Sequence, residues 1–266
     1  FVDADSGKAL LDPFPTGDLI KGSVTIDPDG YPIVYSGSRD NFLRAIAMDR
    51  DDPVELWRLN GDGAPGGRWN NDWDGAPLVI DDYLFEGGEN SLFHIVKLNR
   101  SYDDDGLVQV DPELVFVAPG YDSELISKVG GNVSIENSVA ISGNTVYFAN
   151  SGGLVQGWDI EGLTEGEEPT RVFEYWVGED VDASVVVDDE GMLYVGVEYE
   201  IGRARALEVG QLVKLDPSRP ADPLVWSVHD NGRLPSGMWA TPAVHRDVVI
   251  APLDTGRVLG IDRYTG

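Results

Sequence analysis

The sequence predicts an all-β protein: a β-propeller of four-stranded antiparallel blades, about five of them in 266 residues. Three observations carry that prediction. One unit returns five times, beginning at Gly22-Ser-Val-Thr-Ile, Gly75-Ala-Pro-Leu-Val, Asn137-Ser-Val-Ala-Ile, Ala183-Ser-Val-Val-Val and Ala240-Thr-Pro-Ala-Val. Successive starts lie 53, 62, 46 and 57 residues apart, and a period of that size built from short strands is what a propeller blade leaves in a sequence. Each unit also closes on an Asp-rich turn, as in Asp216-Pro-Ser-Arg-Pro and Asp262-Arg-Tyr-Thr-Gly.

The strands follow in order within each unit. The first opens on a small residue. The second is β-branched and aromatic: Ile33-Val-Tyr-Ser, Tyr83-Leu-Phe-Glu, Thr145-Val-Tyr-Phe, Leu193-Tyr-Val-Gly and Val248-Val-Ile-Ala. That composition suits a strand covered on both faces by neighbouring blades. The third alternates polar and apolar residues, as in Leu43-Arg-Ala-Ile-Ala and Leu212-Val-Lys-Leu-Asp, and is expected nearer the rim. The fourth tends to end in an aromatic ring, Trp57, Phe116, Trp176 or Trp226, large enough to wedge between blades. In the connecting turns, Asp accepts backbone hydrogen bonds and Gly supplies positive φ. A helical turn is expected around Ser123-Glu-Leu-Ile-Ser-Lys, in a blade-linking loop.

Composition narrows the function classes. With 47 acidic and 19 basic residues the formal net charge is -28. Only Lys8, Lys21, Lys97, Lys128 and Lys214 are lysines. Such a surface repels phosphate backbones and anionic lipids, which argues against nucleic-acid and membrane-surface partners. It suits a saline or Ca²⁺-rich setting, a cationic partner, or simply a well-solvated secreted protein. Cysteine is absent, which removes disulfide scaffolds, thiolate metal sites and Cys nucleophiles. No apolar run is long enough to span a bilayer. The opening residues lack the pattern of a signal peptide and look like the middle of a repeat. The chain is therefore expected to be a single propeller domain over residues 1–266, truncated at one or both ends. Either its ends close a five-bladed ring or it belongs to a ring of about seven or eight blades.

Alignment of the five copies singles out the residue before each small start: Lys21, Asp74, Glu136, Asp182 and Trp239. The loop into the innermost strand of a blade lies at the mouth of the central channel, so these side chains are expected to converge there. Glu136, Asn137 and Asp182 make a plausible oxygen cage for Ca²⁺. Trp239, with Trp69 and Trp73 from the Trp69-Asn-Asn-Asp-Trp73 loop, offers flat surfaces for a planar or sugar-like ligand beside Lys21 and Asp74. The plainer alternative is a set of solvated polar loops around a water-filled channel.

Other motifs fail on chemistry. Gly61-Asp-Gly-Ala-Pro-Gly66 matches a dinucleotide pattern by letter, but Pro65 and the Trp-rich loop leave no helix to receive a pyrophosphate. Tyr102-Asp-Asp-Asp-Gly106 lacks the bidentate Glu of an EF-hand and reads as a hairpin turn. His94, His229 and His245 share no zinc spacing, and there is no Gly-x-Ser-x-Gly nucleophile elbow.

Val2-Asp-Ala-Asp-Ser-Gly-Lys-Ala-Leu, Gly37-Ser-Arg-Asp-Asn-Phe-Leu-Arg-Ala and Gly256-Arg-Val-Leu-Gly-Ile-Asp-Arg-Tyr-Thr-Gly resemble the Ala-x-Asp-x-x-Thr-Gly-Lys-x-x-Trp repeat of the pyrroloquinoline-quinone (PQQ)-like propellers. That superfamily includes quinoprotein dehydrogenases and non-catalytic scaffolds such as outer-membrane assembly lipoproteins. For a dehydrogenase, the resemblance implies Glu136, Asn137 and Asp182 on Ca²⁺ and Trp239 stacked under the quinone. PQQ itself carries three carboxylates and calls for several Arg or Lys, whereas only Lys21 stands near the expected mouth. The first expectation is therefore a non-catalytic, extracellular or periplasmic propeller that binds a protein, a polysaccharide or Ca²⁺. A PQQ- and Ca²⁺-dependent alcohol or sugar dehydrogenase is the second, and a structural subunit of a cell-surface assembly the third.

Overall fold

The computed structural model describes residues 1–230 and 236–266. The chain divides into two compact units, Phe1–Ala118 and Pro119–Gly266.

The first unit carries two four-stranded antiparallel sheets. One runs in chain order through Thr25–Ile26, Ile33–Ser36, Phe42–Ala47 and Val54–Asn60. The other runs through Leu78–Ile80, Tyr83–Gly87, Leu92–Lys97 and Glu113–Pro119, with a small hairpin, Ser101–Tyr102 and Val108–Gln109, inserted before its last strand. The Asp-rich segment is that hairpin's turn: Asp103 Oδ1 accepts from the amides of Asp105 (3.0 Å) and Leu107 (2.9 Å). The apolar layer of this unit joins Ile33, Tyr35, Leu43 and Ala45 of the first sheet to Val79, Leu84 and Val96 of the second, with Trp57 packed against it.

The second unit carries two more four-stranded sheets. The first comprises Ala140–Ser142, Thr145–Phe148, Leu154–Asp159 and Thr170–Trp176; the second comprises Val186–Val187, Leu193–Gly196, Leu212–Leu215 and Leu224–Val228. A three-stranded sheet follows: Ala243–His245, Val248–Pro252 and Val258–Asp262. The expected helical turn is a helix over Ser123–Val129, capped by Asp122, whose side chain accepts from the Leu125 amide at 2.8 Å. A second helix, Ala204–Val209, and a two-residue ribbon pairing Glu198–Tyr199 with Ser236–Gly237 were not expected from sequence.

Every four-stranded sheet therefore contains the predicted succession, and its second strand is buried as expected; in the three-stranded sheet the expectation fails, because Val248 and Ile250 of Val248–Pro252 are exposed. The third strands differ from expectation. They are nearly as buried as the second, because their polar residues find partners inside. Arg44 donates to Asp40 (2.7 Å) and Glu55 (2.8 Å), Gln156 to the Gly120 carbonyl (2.6 Å), and Lys214 to the Arg263 carbonyl (3.0 Å). A polar side chain can be interior when its hydrogen bonds are met there.

The small residue at each unit's start has a steric reason in the first unit. A Cβ on Gly22 would stand 2.2 Å from the Gly75 carbonyl oxygen, the equivalent point of the next sheet. The hydroxyl residue that follows links sheets in the second unit. Ser138 N donates to Ser184 Oγ and Ser184 N to Thr241 Oγ1, both at 3.1 Å.

Candidate functional site

Each unit gathers charged side chains at the entrances to its first strands. In the first unit Lys21 Nζ lies 2.7 Å from Asp74 Oδ2, and Arg39 reaches Asp74 at 3.2 Å and Glu89 at 3.1 Å. Asn70 Nδ2 donates to Asp72 Oδ2 (2.7 Å) and Glu89 Oε2 (2.9 Å). Burial works to raise the Asp74 carboxyl. The hydrogen bonds it shares with Glu89, Arg39 and Lys21 outweigh that and hold it below the ordinary carboxylate range. Sequence alignment placed Lys21 and Asp74 together, and they form an ion pair.

Two tryptophans of the same loop part company. Trp69 is 64% exposed and stands at φ 71°, a region a bulky residue adopts only when its surroundings impose it. The Arg68 amide donates to the Asn90 carbonyl at 2.9 Å, Ser91 Oγ donates to the Arg68 carbonyl at 3.2 Å, and Asn70 is tied as described. Trp73, expected to show a flat face to a ligand, shows none. It is fully buried between the two sheets, donates Nε1 to the Asn41 carbonyl at 3.1 Å, and lies 5.0 Å from the His94 ring. Four residues along a pinned loop suffice to carry one indole outward and the other into the core.

In the second unit the expected oxygen cage is assembled differently. Asn137 is buried and its amide is committed to the backbone: Nδ2 donates to the carbonyls of Ala149 (3.0 Å) and Val181 (2.7 Å), and Oδ1 accepts from the Ala149 amide (3.1 Å). Glu136 Oε1 accepts from Ser134 (2.7 Å) and Ser151 (3.2 Å). Asp182 joins two residues that sequence reasoning missed. Single carboxylate oxygens of Asp180, Asp182 and Glu198 all lie within 4.8 Å of one another. Burial, then the charges of Asp182 and Glu136, push Asp180 up to about 8. Burial, then Asp182 and Asp180, push Glu198 up to about 9. The signal available in sequence was local: Asp180 and Asp182 flank Val181, and Glu198 interrupts the apolar run Tyr194-Val-Gly-Val. Trp239 is 59% exposed.

Neither gathering suits a tri-anionic quinone. Lys21 and Arg39 are already engaged by buried carboxylates, and the strongest charges acting on Asp180 and Glu198 are other carboxylates. The orphaned oxygens Asp180 Oδ1 and Glu198 Oε1 suit a hard cation instead.

No protein-family model matches this sequence, and no curated protein matches it. Many solved structures are similar, among them the following three. BamB from Moraxella catarrhalis aligns at TM-score 0.60 and 18% identity over 95% of this chain and 61% of that one. Sqt1 of Saccharomyces cerevisiae aligns at 0.62 and 12% over 92% and 59%. The computationally designed Ika8 protein aligns at 0.55 and 13% over 90% and 57%. The chain thus spans about three-fifths of the length of each. BamB and Sqt1 are β-propellers, and the fold of this chain is that of a β-propeller.

Proposed function

We propose that this chain is a non-catalytic PQQ-like propeller that serves as a Ca²⁺-dependent binding or scaffold module outside the cytoplasm, for a protein partner with a basic segment. The observation that carries the reading is Trp69, an exposed indole held outward by a loop pinned on both sides, on a chain of net charge -28. An exposed indole face on an acidic chain attracts guanidinium and ammonium groups, and variable loops on a stiff repeated frame are where such recognition resides. No helix among the described residues is long and apolar enough to cross a membrane.

Binding of Arg- and Lys-rich peptides and of neutral polysaccharides, followed by interferometry on the wild type and on Trp69→Ala, tests this. Peptide binding that weakens with salt and drops about tenfold in the variant is expected. Preference for a polysaccharide would replace the partner class. PQQ- and Ca²⁺-dependent dye reduction with an alcohol or sugar would overturn the reading.

A further inference from the structure

We propose that Asp180, Asp182 and Glu198 form a Ca²⁺ site that fastens the segment entering the second unit's second four-stranded sheet to the segment leaving that sheet's second strand. The inference rests on the binding-module reading only in giving the ion a fastening role, and it concerns a ligand set different from Glu136, Asn137 and Asp182.

The backbone brings these carboxylates together whatever their mutual repulsion. Asp180 and Asp182 sit either side of buried Val181 on the way into Val186–Val187. Glu198 arrives from the far end of Leu193–Gly196, and its amide donates to the Asp180 carbonyl at 2.9 Å. On its other side Glu198 pairs with Gly237. A Cβ on Gly237 would meet Tyr199 N at 2.6 Å and Glu198 Cα at 2.8 Å, so only glycine admits this approach. The fold thus presses Glu198 toward the two aspartates from behind.

A cluster of acids is not in itself a site; the second observation is what the acids lack. Glu198 is 3% exposed, yet its Oε1 has no hydrogen-bond partner, and neither has Asp180 Oδ1. A buried oxygen of this kind is costly unless a donor or a cation meets it. The neighbouring charges that weigh most on Asp180 and Glu198 are carboxylates, Glu136 and Glu200 among them. Ser151 shares a hydrogen bond with Asp180 and Asp182 one with Glu198, and Asp180 Oδ1 and Glu198 Oε1 are still left unmet.

Ligand chemistry and geometry favour the ion. Carboxylates are hard oxygen donors, and Ca²⁺ accepts them at about 2.4 Å in flexible geometry, whereas Mg²⁺ at about 2.1 Å demands a near-ideal octahedron. The oxygens of Asp180, Asp182 and Glu198 lie within 4.8 Å of one another, close enough to share one ion. A cavity of about 100 Å³, bordered by Ser151, Asp180, Glu200 and Arg203, adjoins Asp180 and leaves room for water ligands.

Calorimetric titration of EDTA-stripped protein with CaCl₂, paired with thermal unfolding, tests the site in the wild type, Glu198→Gln and Asp182→Asn. The wild type should bind one Ca²⁺ and melt several degrees higher in millimolar Ca²⁺ than in EDTA. Glu198→Gln relieves repulsion, so in EDTA it should melt no lower than the wild type while binding Ca²⁺ at least about tenfold more weakly. Asp182→Asn, at an exposed position, should show the same weakening and serves if the first variant fails to fold. Absence of Ca²⁺ binding to the wild type, an equal response to Mg²⁺ at matched ionic strength, or a full response in both variants would overturn the site. Ca²⁺ failure with peptide binding intact sinks this inference and the Ca²⁺ dependence of the module but not the module itself, whereas dye reduction sinks the module reading and leaves the ion in place.

Discussion

Trp69 and Trp73 show how far two like residues in one loop can diverge in consequence. Trp73→Ala removes a fully buried indole and its bond to Asn41 and should cost about 3 to 5 kcal/mol by urea unfolding; Trp69→Ala should stay within about 0.5 kcal/mol. Glu86 is the other informative residue. It is fully buried, neither of its carboxylate oxygens has a partner, and it stands opposite His94, whose Nδ1 is also unpartnered. Burial pushes the Glu86 carboxyl well above its ordinary range and the His94 ring down to about 4. A carboxyl whose folded pKa is raised holds its proton longer folded than unfolded. Its contribution is therefore complete below the unfolded pKa of about 4.5, then falls by about 1.4 kcal/mol for each pH unit up to the folded value. His94 acts on the acid side: its folded pKa is lowered, so its contribution is lost as pH falls from about 6.5 toward 4. Glu86→Gln should therefore flatten the alkaline loss of stability relative to the wild type in urea melts between pH 5 and 9, and parallel curves would refute the assignment. Sequence reasoning found that His94 shares no zinc spacing with the other histidines, and the structure sets it in the strand Leu92–Lys97. Such reasoning could not find the lone carboxyl beside it, because an unmet hydrogen bond is a property of surroundings.

Between elements, a clamp recurs that the repeat alignment did not reveal. In the first unit Tyr35 donates to Asp27 at 2.8 Å and Arg100 reaches the same oxygen at 2.7 Å. In the second unit Tyr194 donates to Asp188 at 2.8 Å and Arg263 reaches that oxygen at 3.0 Å. Each clamp joins the first turn of one sheet to the strand end of the next, across 73 and 75 residues respectively. The Arg100 and Asp27 side chains are almost wholly buried, so Arg100→Met leaves an uncompensated carboxylate and should cost about 3 to 5 kcal/mol. Substituting Asp27→Asn in that background should recover part of the loss, and a double mutant no better than the single would argue against the pair. The Ser184 link is weaker. Its hydroxyl accepts from Ser138 while its amide donates to Thr241, so Ser184→Ala removes one hydrogen bond and should lower stability by about 1 kcal/mol, read as a shifted urea midpoint at unchanged slope.

Across the whole molecule, charge sets the response to salt. At net -28 the surface repels itself, and the Debye length shortens from about 10 Å at 0.1 M to about 3 Å at 1 M. The melting temperature should therefore climb by several degrees with NaCl, and a flat or falling curve would show that repulsion is not the limiting term. Charge, strand succession and the five repeat starts were all legible in sequence, because period, alternation and turn chemistry are imposed by residues close together in the chain. The helix at Ser123–Val129 was legible for the same reason: Asp122 caps its own next turn. What the tertiary structure decided is which polar groups meet. It buried Arg44, Gln156 and Lys214 in strands whose alternation suggested a wet face, turned Asn137 into a backbone clamp, and brought Glu198 to Asp180 and Asp182. Those meetings depend on where loops of unequal length return the chain and on how closely a glycine such as Gly237 lets two backbones approach, and no local pattern encodes either.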